Sequence, residues 1–223
     1  MRTRAGASGV ARRATYHHGD LRAALVQAAL ELVSANGVAG LSVAAAARRA
    51  GVSGAAPYRH FAGRAELLST AATFAARQLS ELMRDAAERV GQPATGGITP
   101  AVEVLAELTR VYVRYTLTHG AGFELIFADE LQDFPDPPRR DATRELHDRL
   151  LFPALAVTGD PDDAGHLLRA LVATAHGYAY LPRSGFMRGF DTGSARVADE
   201  AAEAVRTLAR AAAGSPPDGH GGD

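Results

Sequence analysis

Tyr58, Arg59 and His60 stand in a row and run straight into the apolar Phe61. A guanidinium can grip guanine O6 and N7 through two parallel bonds, so Arg59 is the strongest candidate in the chain for reading a base. Just before this row, Ser53, Gly54, Ala55 and Ala56 offer little hydrogen bonding. An alanine there can at best touch a thymine methyl. Such a row does chemistry only if a scaffold presents it to a groove.

That scaffold lies within residues 41–68, which read as two short helices joined by a tight turn. Val43, Ala46, Ala47 and Ala50 recur at helical spacing and give the first helix one apolar face. Gly51 follows and can take the left-handed backbone that ends a helix. Ser53 is a good N-cap for the second helix. This is the pattern of a helix-turn-helix, whose second helix enters the major groove of DNA. Val43-Ala44-Ala45 carries no polar side chain, so the first helix of the pair contributes little to base reading. Only the first turn of a helix tolerates proline easily, so Pro57 predicts a second helix that starts late or is distorted.

Composition frames the same division. The chain has 223 residues, 47% of them hydrophobic, enough for a buried core. It has no Cys, which excludes a disulfide scaffold and thiolate chemistry and fits a reducing cytoplasm. No apolar run reaches the ~18 residues of a membrane helix. The net charge of −1 hides an asymmetry. Residues 1–68 hold nine Arg and three acids, a net of +6, while the rest holds 15 Arg and 22 acids, a net of −7. A basic first third on an acidic body implies one surface for a polyanion and one that repels it.

Residues 1–15 are Gly-, Ala- and Arg-rich without periodicity and read as a disordered basic arm, compatible with added phosphate contacts. Tyr16-His17-His18-Gly19-Asp20 lacks a third ligand held nearby, so no metal is expected there. Asp20 is the expected N-cap of a helix to Asn36, with Leu21, Leu25, Ala28 and Leu32 on its inner face. A long helix is expected from Arg64 to about Val90, with Leu67, Ala71, Phe74, Leu79, Leu82 and Ala86 inward. A multi-sided apolar helix should follow Thr99-Pro100 as far as His119. A short helix is expected within 123–131, an acidic Pro-rich loop over 129–138, and a helix over about 139–157 that Pro153 kinks or shortens. Helices over about 161–181 and 193–213 and a disordered tail from 214 complete the chain. No strand pattern occurs. The expectation is an all-α fold of about nine helices, with residues 16–63 as the DNA-binding domain and 64–213 as a second domain.

Within that second domain, Tyr112, Tyr115, Phe123, Phe127, Phe152 and Tyr180 can line a pocket or simply fill the core. His176, on an apolar helix, is either a satisfied core residue or a ligand contact. No nucleophile elbow, phosphate loop, HExxH or paired carboxylate frame occurs, so an enzyme is not expected. No cofactor is expected either.

Gly37, Leu41-Ser42, Ala47, Gly51-Val52-Ser53, Tyr58-Arg59-His60-Phe61 and Leu67-Leu68 together resemble the TetR family of bacterial transcriptional regulators. The segment 175–181, AHGYAYL, looks like the His-Gly signature of the subgroup with a WHG-type C-terminal domain, with Val172 where that subgroup carries Trp. The resemblance implies a cytoplasmic homodimer, paired through the helices at about 161–181 and 193–213, on a palindromic double-stranded operator. It implies a pocket in the C-terminal body for a small-molecule effector, with no membrane partner. The apolar content of 101–181 suggests an apolar or aromatic effector that releases the DNA. By the same resemblance Tyr58, His60, Ser42 and Arg64 contact phosphates, which fix register without reading sequence. Rival readings are a constitutive or architectural DNA-binding protein without an effector, and an activator in place of a repressor.

Overall fold

The computed structural model describes residues 21–91, 98–120, 123–184, 186 and 193–214. Eight α-helices occur among them, with four isolated 3-10 turns and no strand. The helices are α1 (Leu21–Asn36), α2 (Val43–Arg49), α3 (Arg64–Val90), α4 (Ile98–His119), α5 (Phe123–Ile126), α6 (Pro137–Thr158), α7 (Pro161–Tyr180) and α8 (Ser194–Ala213). The all-α expectation holds. The ninth helix does not appear, because the second half of the helix-turn-helix is a single 3-10 turn, Ala56–Arg59. Asp20, the basic arm and the tail from 215 lie outside the described residues.

α2 begins and ends as its sequence dictates. Ser42 Oγ accepts from the Ala45 amide at 3.1 Å and satisfies a donor left open at the helix start. At the other end Gly51 adopts φ +71°. Its N–H donates to Arg48 O at 3.2 Å, and that of Val52 to Ala47 O at 3.0 Å. These paired bonds close the helix and turn the chain sharply. Ser53 caps nothing with its side chain; its carbonyl accepts from Ala56 N at 3.0 Å and starts the turn that follows. Pro57, buried in that turn, has no N–H to continue an α-helical ladder.

α3 links the two halves of the molecule. Its 27 residues span roughly 40 Å. Glu66, in its first turn, accepts from the Ala62 amide at 2.7 Å. Its inner face differs from the expected one. Leu67, Ala71, Leu79 and Ala86 are buried, whereas Phe74 and Leu82 are 47% and 42% exposed. Small residues, Ala72, Ala75 and Ala76, occupy the core side instead and let neighbouring helices approach closely. Arg22 on α1 lies over the Phe61 ring, 5.1 Å from its centroid, and donates to Thr70 on α3 at 3.3 Å. One core cluster runs from α1 through Phe61 and α3 into α4, so α1, α2 and the 3-10 turn pack on the body rather than hang from it.

The body is built from α3, α4, α6, α7 and α8. α4 is buried on several sides, with Val102, Leu105, Leu108, Tyr112 and Tyr115 all inward. α8 lies against it, tied by Arg206, which donates to both Glu103 oxygens at 2.9–3.1 Å. The expected acidic loop is partly helical, at both of its ends. Asp129–Leu131 is a 3-10 turn with Leu131 fully buried. Asp136 caps α6, accepting from Arg139 N at 3.2 Å and from Ser69 Oγ of α3 at 2.6 Å. α6 therefore starts at Pro137, where prolines suit the first positions. Pro153 does not shorten α6, which continues to Thr158. α7 is capped by Asp160, whose Oδ1 accepts from Asp162 N at 2.8 Å and Asp163 N at 3.1 Å. No described helix is long and apolar enough to cross a membrane.

Candidate DNA-binding face and effector cleft

The 3-10 turn pushes Tyr58 and Arg59 outward while burying Pro57 and Phe61 on either side. Tyr58 is 60% exposed, which removes it from the core. Arg59 is exposed, and no carboxylate pairs with it among the described residues. Ser53, Gly54 and Ala55 are exposed beside it, while Ala56 and His60 are half-buried. Ser42 is exposed at the start of α2, its Oγ already accepting from Ala45 N. The two acids of residues 21–68 are both engaged. Glu31 binds Arg49, which with Gln27 holds its carboxyl below the usual carboxylate range, and Glu66 accepts from Ala62 N. Arg48 on α2 and Arg59 in the turn are thus left as exposed positive charge.

Two of the expected DNA contacts are placed differently from the others. Val43 is 6% exposed and packs into the core beside Ala46, leaving little of its side chain at the surface. Arg64 is turned inward. Its Nε donates to Leu41 O at 2.7 Å and its Nη2 to Val38 O at 2.8 Å, and the same guanidinium pairs with Glu130. Its donors serve its own chain, so a phosphate is not their partner in this arrangement.

In the body, Tyr112, Phe127 and His176 line one open-sided cleft of about 480 Å³ between α3, α4, α6 and α7. Tyr112 OH lies 3.0 Å from His176 Nδ1, a bond that bridges α4 and α7. His176 stacks on Tyr180, ring centroids 4.4 Å apart. Beyond Tyr112 a smaller void of about 30 Å³ runs inward, between Leu105, Leu108, Leu171 and Ala175.

The other aromatic candidates do not join this cleft. Tyr115 is buried, donates to Gln78 Oε1 at 3.1 Å and stacks on His119. Burial pushes its hydroxyl up to about 12, so it stays a neutral donor. Tyr180 supports His176 from behind. Phe152 is 65% exposed and lines a separate groove between α3 and α6. The side chain of Phe123 lies outside the described residues. Leu79, Met83, Leu146, His147, Leu150 and Arg169 complete the cleft and were not among the candidates. They come from α3 and from the consecutive helices α6 and α7, much further along the chain, and only α3's register could have pointed to Leu79.

Residues 25–71 match the family described as bacterial regulatory proteins, tetR family, and residues 105–208 match the family described as tetracyclin repressor-like, C-terminal domain. No curated protein matches the chain. Among solved structures, a protein of unknown function from Rhodococcus sp. RHA1 is 27% identical, with a TM-score of 0.66 over 86% of this chain and 97% of that one. A TetR-family transcriptional regulator from Streptomyces coelicolor shares the fold at 20% identity, with a TM-score of 0.64 over 87% and 90% of the two chains. A TetR-like transcriptional regulator from Rhodococcus sp. RHA1 does so at 18% identity and a TM-score of 0.61, over 90% and 100%. With a helix-turn-helix unit matched at one end, a regulator-type helical domain at the other and α3 joining them, the chain belongs to the TetR family of DNA-binding bacterial transcriptional regulators.

Proposed function

We propose that this regulator is an effector-responsive repressor that binds a palindromic operator as a homodimer and leaves it when a small apolar or aromatic molecule enters the body. The observation that carries the reading is the position of the 480 Å³ cleft. Leu79 and Met83 of α3 form part of its wall, and the same helix begins at Arg64 beside the DNA-facing turn. A ligand that moves α3 therefore moves the reading head.

Within that reading Arg59 reads a base, and Tyr58, His60 and Ser42 hold phosphates. Pairing runs through α7 and α8. Ala170, exposed on α7 and outside the lining of the cleft, and Leu208 at 38% exposure on α8 support it, since a small residue allows a second copy to approach closely. Operator fragments recovered by footprinting the purified protein on genomic DNA test the proposal. The expected footprint has two half-sites about one helical turn apart or a multiple of it, ~34–36 Å. It disappears when a metabolite extract is added. A single asymmetric half-site counts against the dimer, and a footprint indifferent to every metabolite favours a constitutive binder.

A further inference from the structure

The cleft is chemically lopsided. Its walls are mainly Leu79, Met83, Leu146, Leu150, Leu168 and Val172, and no carboxylate lines it. The neighbouring groove between α3 and α6, by contrast, is lined by Asp141, Glu145 and Asp148. The polar groups that reach the cleft fall into two sets. Tyr112 and His176 sit inside, bonded to each other. His147 of α6 and the exposed Arg169 of α7 stand where the cleft opens. Arg169 Nη2 lies 3.0 Å from His166 Nδ1, and no acid pairs with Arg169 among the described residues. A ring nitrogen that accepts from a guanidinium carries no proton of its own, so the arginine's positive charge is left without a counter-charge.

Resting on the effector reading above, we propose that the cleft takes a monoanionic amphiphile: a carboxylate on an alkyl or aryl body, with its apolar end against Met83 and Leu150 and its carboxylate at Arg169. Three features select this class. Apolar walls bury a hydrocarbon body and leave it no polar group to satisfy. An arginine can meet a carboxylate with two parallel bonds, and the low dielectric of the wall beside it strengthens the attraction. An amine in the same place would meet a like charge, while the acid at the rim, Asp148, lies against His147 and lines the neighbouring groove instead. Phe127, 43% exposed in the same cleft, would be covered by the bound chain.

Calorimetric titration of the full-length protein at neutral pH tests this with two matched sets. One set is octanoate, octan-1-ol and octylamine; the other is 4-phenylbutyrate, 4-phenylbutanol and 4-phenylbutylamine. In at least one set the carboxylate should bind about tenfold or more tightly than its alcohol, and the amine should bind weakest. Arg169→Gln should bring acid and alcohol within about threefold of each other, and Arg169→Lys should keep only part of the preference, since a point charge replaces the two-bond fork. An alcohol or amine that matches its acid, or a preference that survives Arg169→Gln, overturns the inference. Failure of all six to bind overturns it as well. The repressor reading then stands or falls separately, on whether a metabolite extract releases the operator.

Discussion

Arg64 and Glu130 join the two ends of the regulator. The arginine opens α3 and holds the carbonyls of Val38 and Leu41 in the helix-turn-helix unit, while the glutamate belongs to the 3-10 turn that follows α5. Phe127, three residues before Glu130, lines the cleft. A displaced Phe127 thus has only a short stretch of chain through which to disturb the arginine. Arg64→Ala should strand two carbonyls and cost about 1–3 kcal/mol. That corresponds to a fall in Tm of roughly 2–10 °C. It should leave the salt dependence of DNA affinity unchanged. A slope of log K against log salt reduced by about one would instead make Arg64 a phosphate contact.

Arg59 has the opposite character: exposed and free of carboxylate partners among the described residues. Arg59→Ala should cost about 1–3 kcal/mol on the preferred operator and relax specificity at one base position. Its Tm should stay close to that of the parent, since little packing is lost. Binding measured across operators with every substitution at that position checks this, and an equal loss on all of them would make Arg59 a phosphate clamp.

Gly120 ends α4 with φ +67°, pressed against Ser34 near the end of α1. A Cβ there would lie 3.1 Å from the Ser34 Cα. Gly120→Ala adds this contact to a left-handed backbone cost of about 1–2 kcal/mol. The expected result is a Tm lower by about 3–8 °C and weaker operator binding, because α1 must shift to make room. An unchanged Tm and affinity would show that α1 and α4 are not braced at this point.

Glu103 of α4 is gripped by Arg206 of α8, whose hydrogen bonds hold the carboxyl below its usual range. A carboxylate depressed in the folded state stabilises above its unfolded pKa, and that contribution is lost as pH falls through the folded value. Glu103→Gln should therefore lower Tm by about 2–5 °C at pH 7. The gap to the parent should close as the pH drops below about 4.5, the reference value for this group. Thermal melts from pH 7 to pH 3 measure it; a gap that does not narrow would assign the loss to packing of the glutamate stem.

Helix ends were the most readable part of the chain, because capping is local. Ser42, Gly51 and Asp160 behave as their types dictate, and the span of α3 agrees with its spacing. Asp136-Pro137-Pro138 carries the same kind of signal, a capping acid before prolines, inside a stretch whose acids and prolines read as a loop. Side-chain direction was harder. On α3 the large Phe74 and Leu82 suggested an inner face, yet methyl-sized residues fill the close contacts and the large ones stay partly outside. Partners distant in sequence were harder still. Nothing near Arg64 announces carbonyls 23 and 26 residues upstream, and nothing near Arg169 announces Met83 across the cleft.

The single 3-10 turn at residues 56–59 has a consequence for information content. If, as proposed, one arginine and a few small side chains face the bases, each head discriminates only a handful of base pairs, at about 1–3 kcal/mol for a well-made contact. A bacterial chromosome presents on the order of 10⁶ competing positions. Under the proposed dimer, addressing one promoter among them then rests on two heads acting at fixed separation, together with the bendability of the sequence between them.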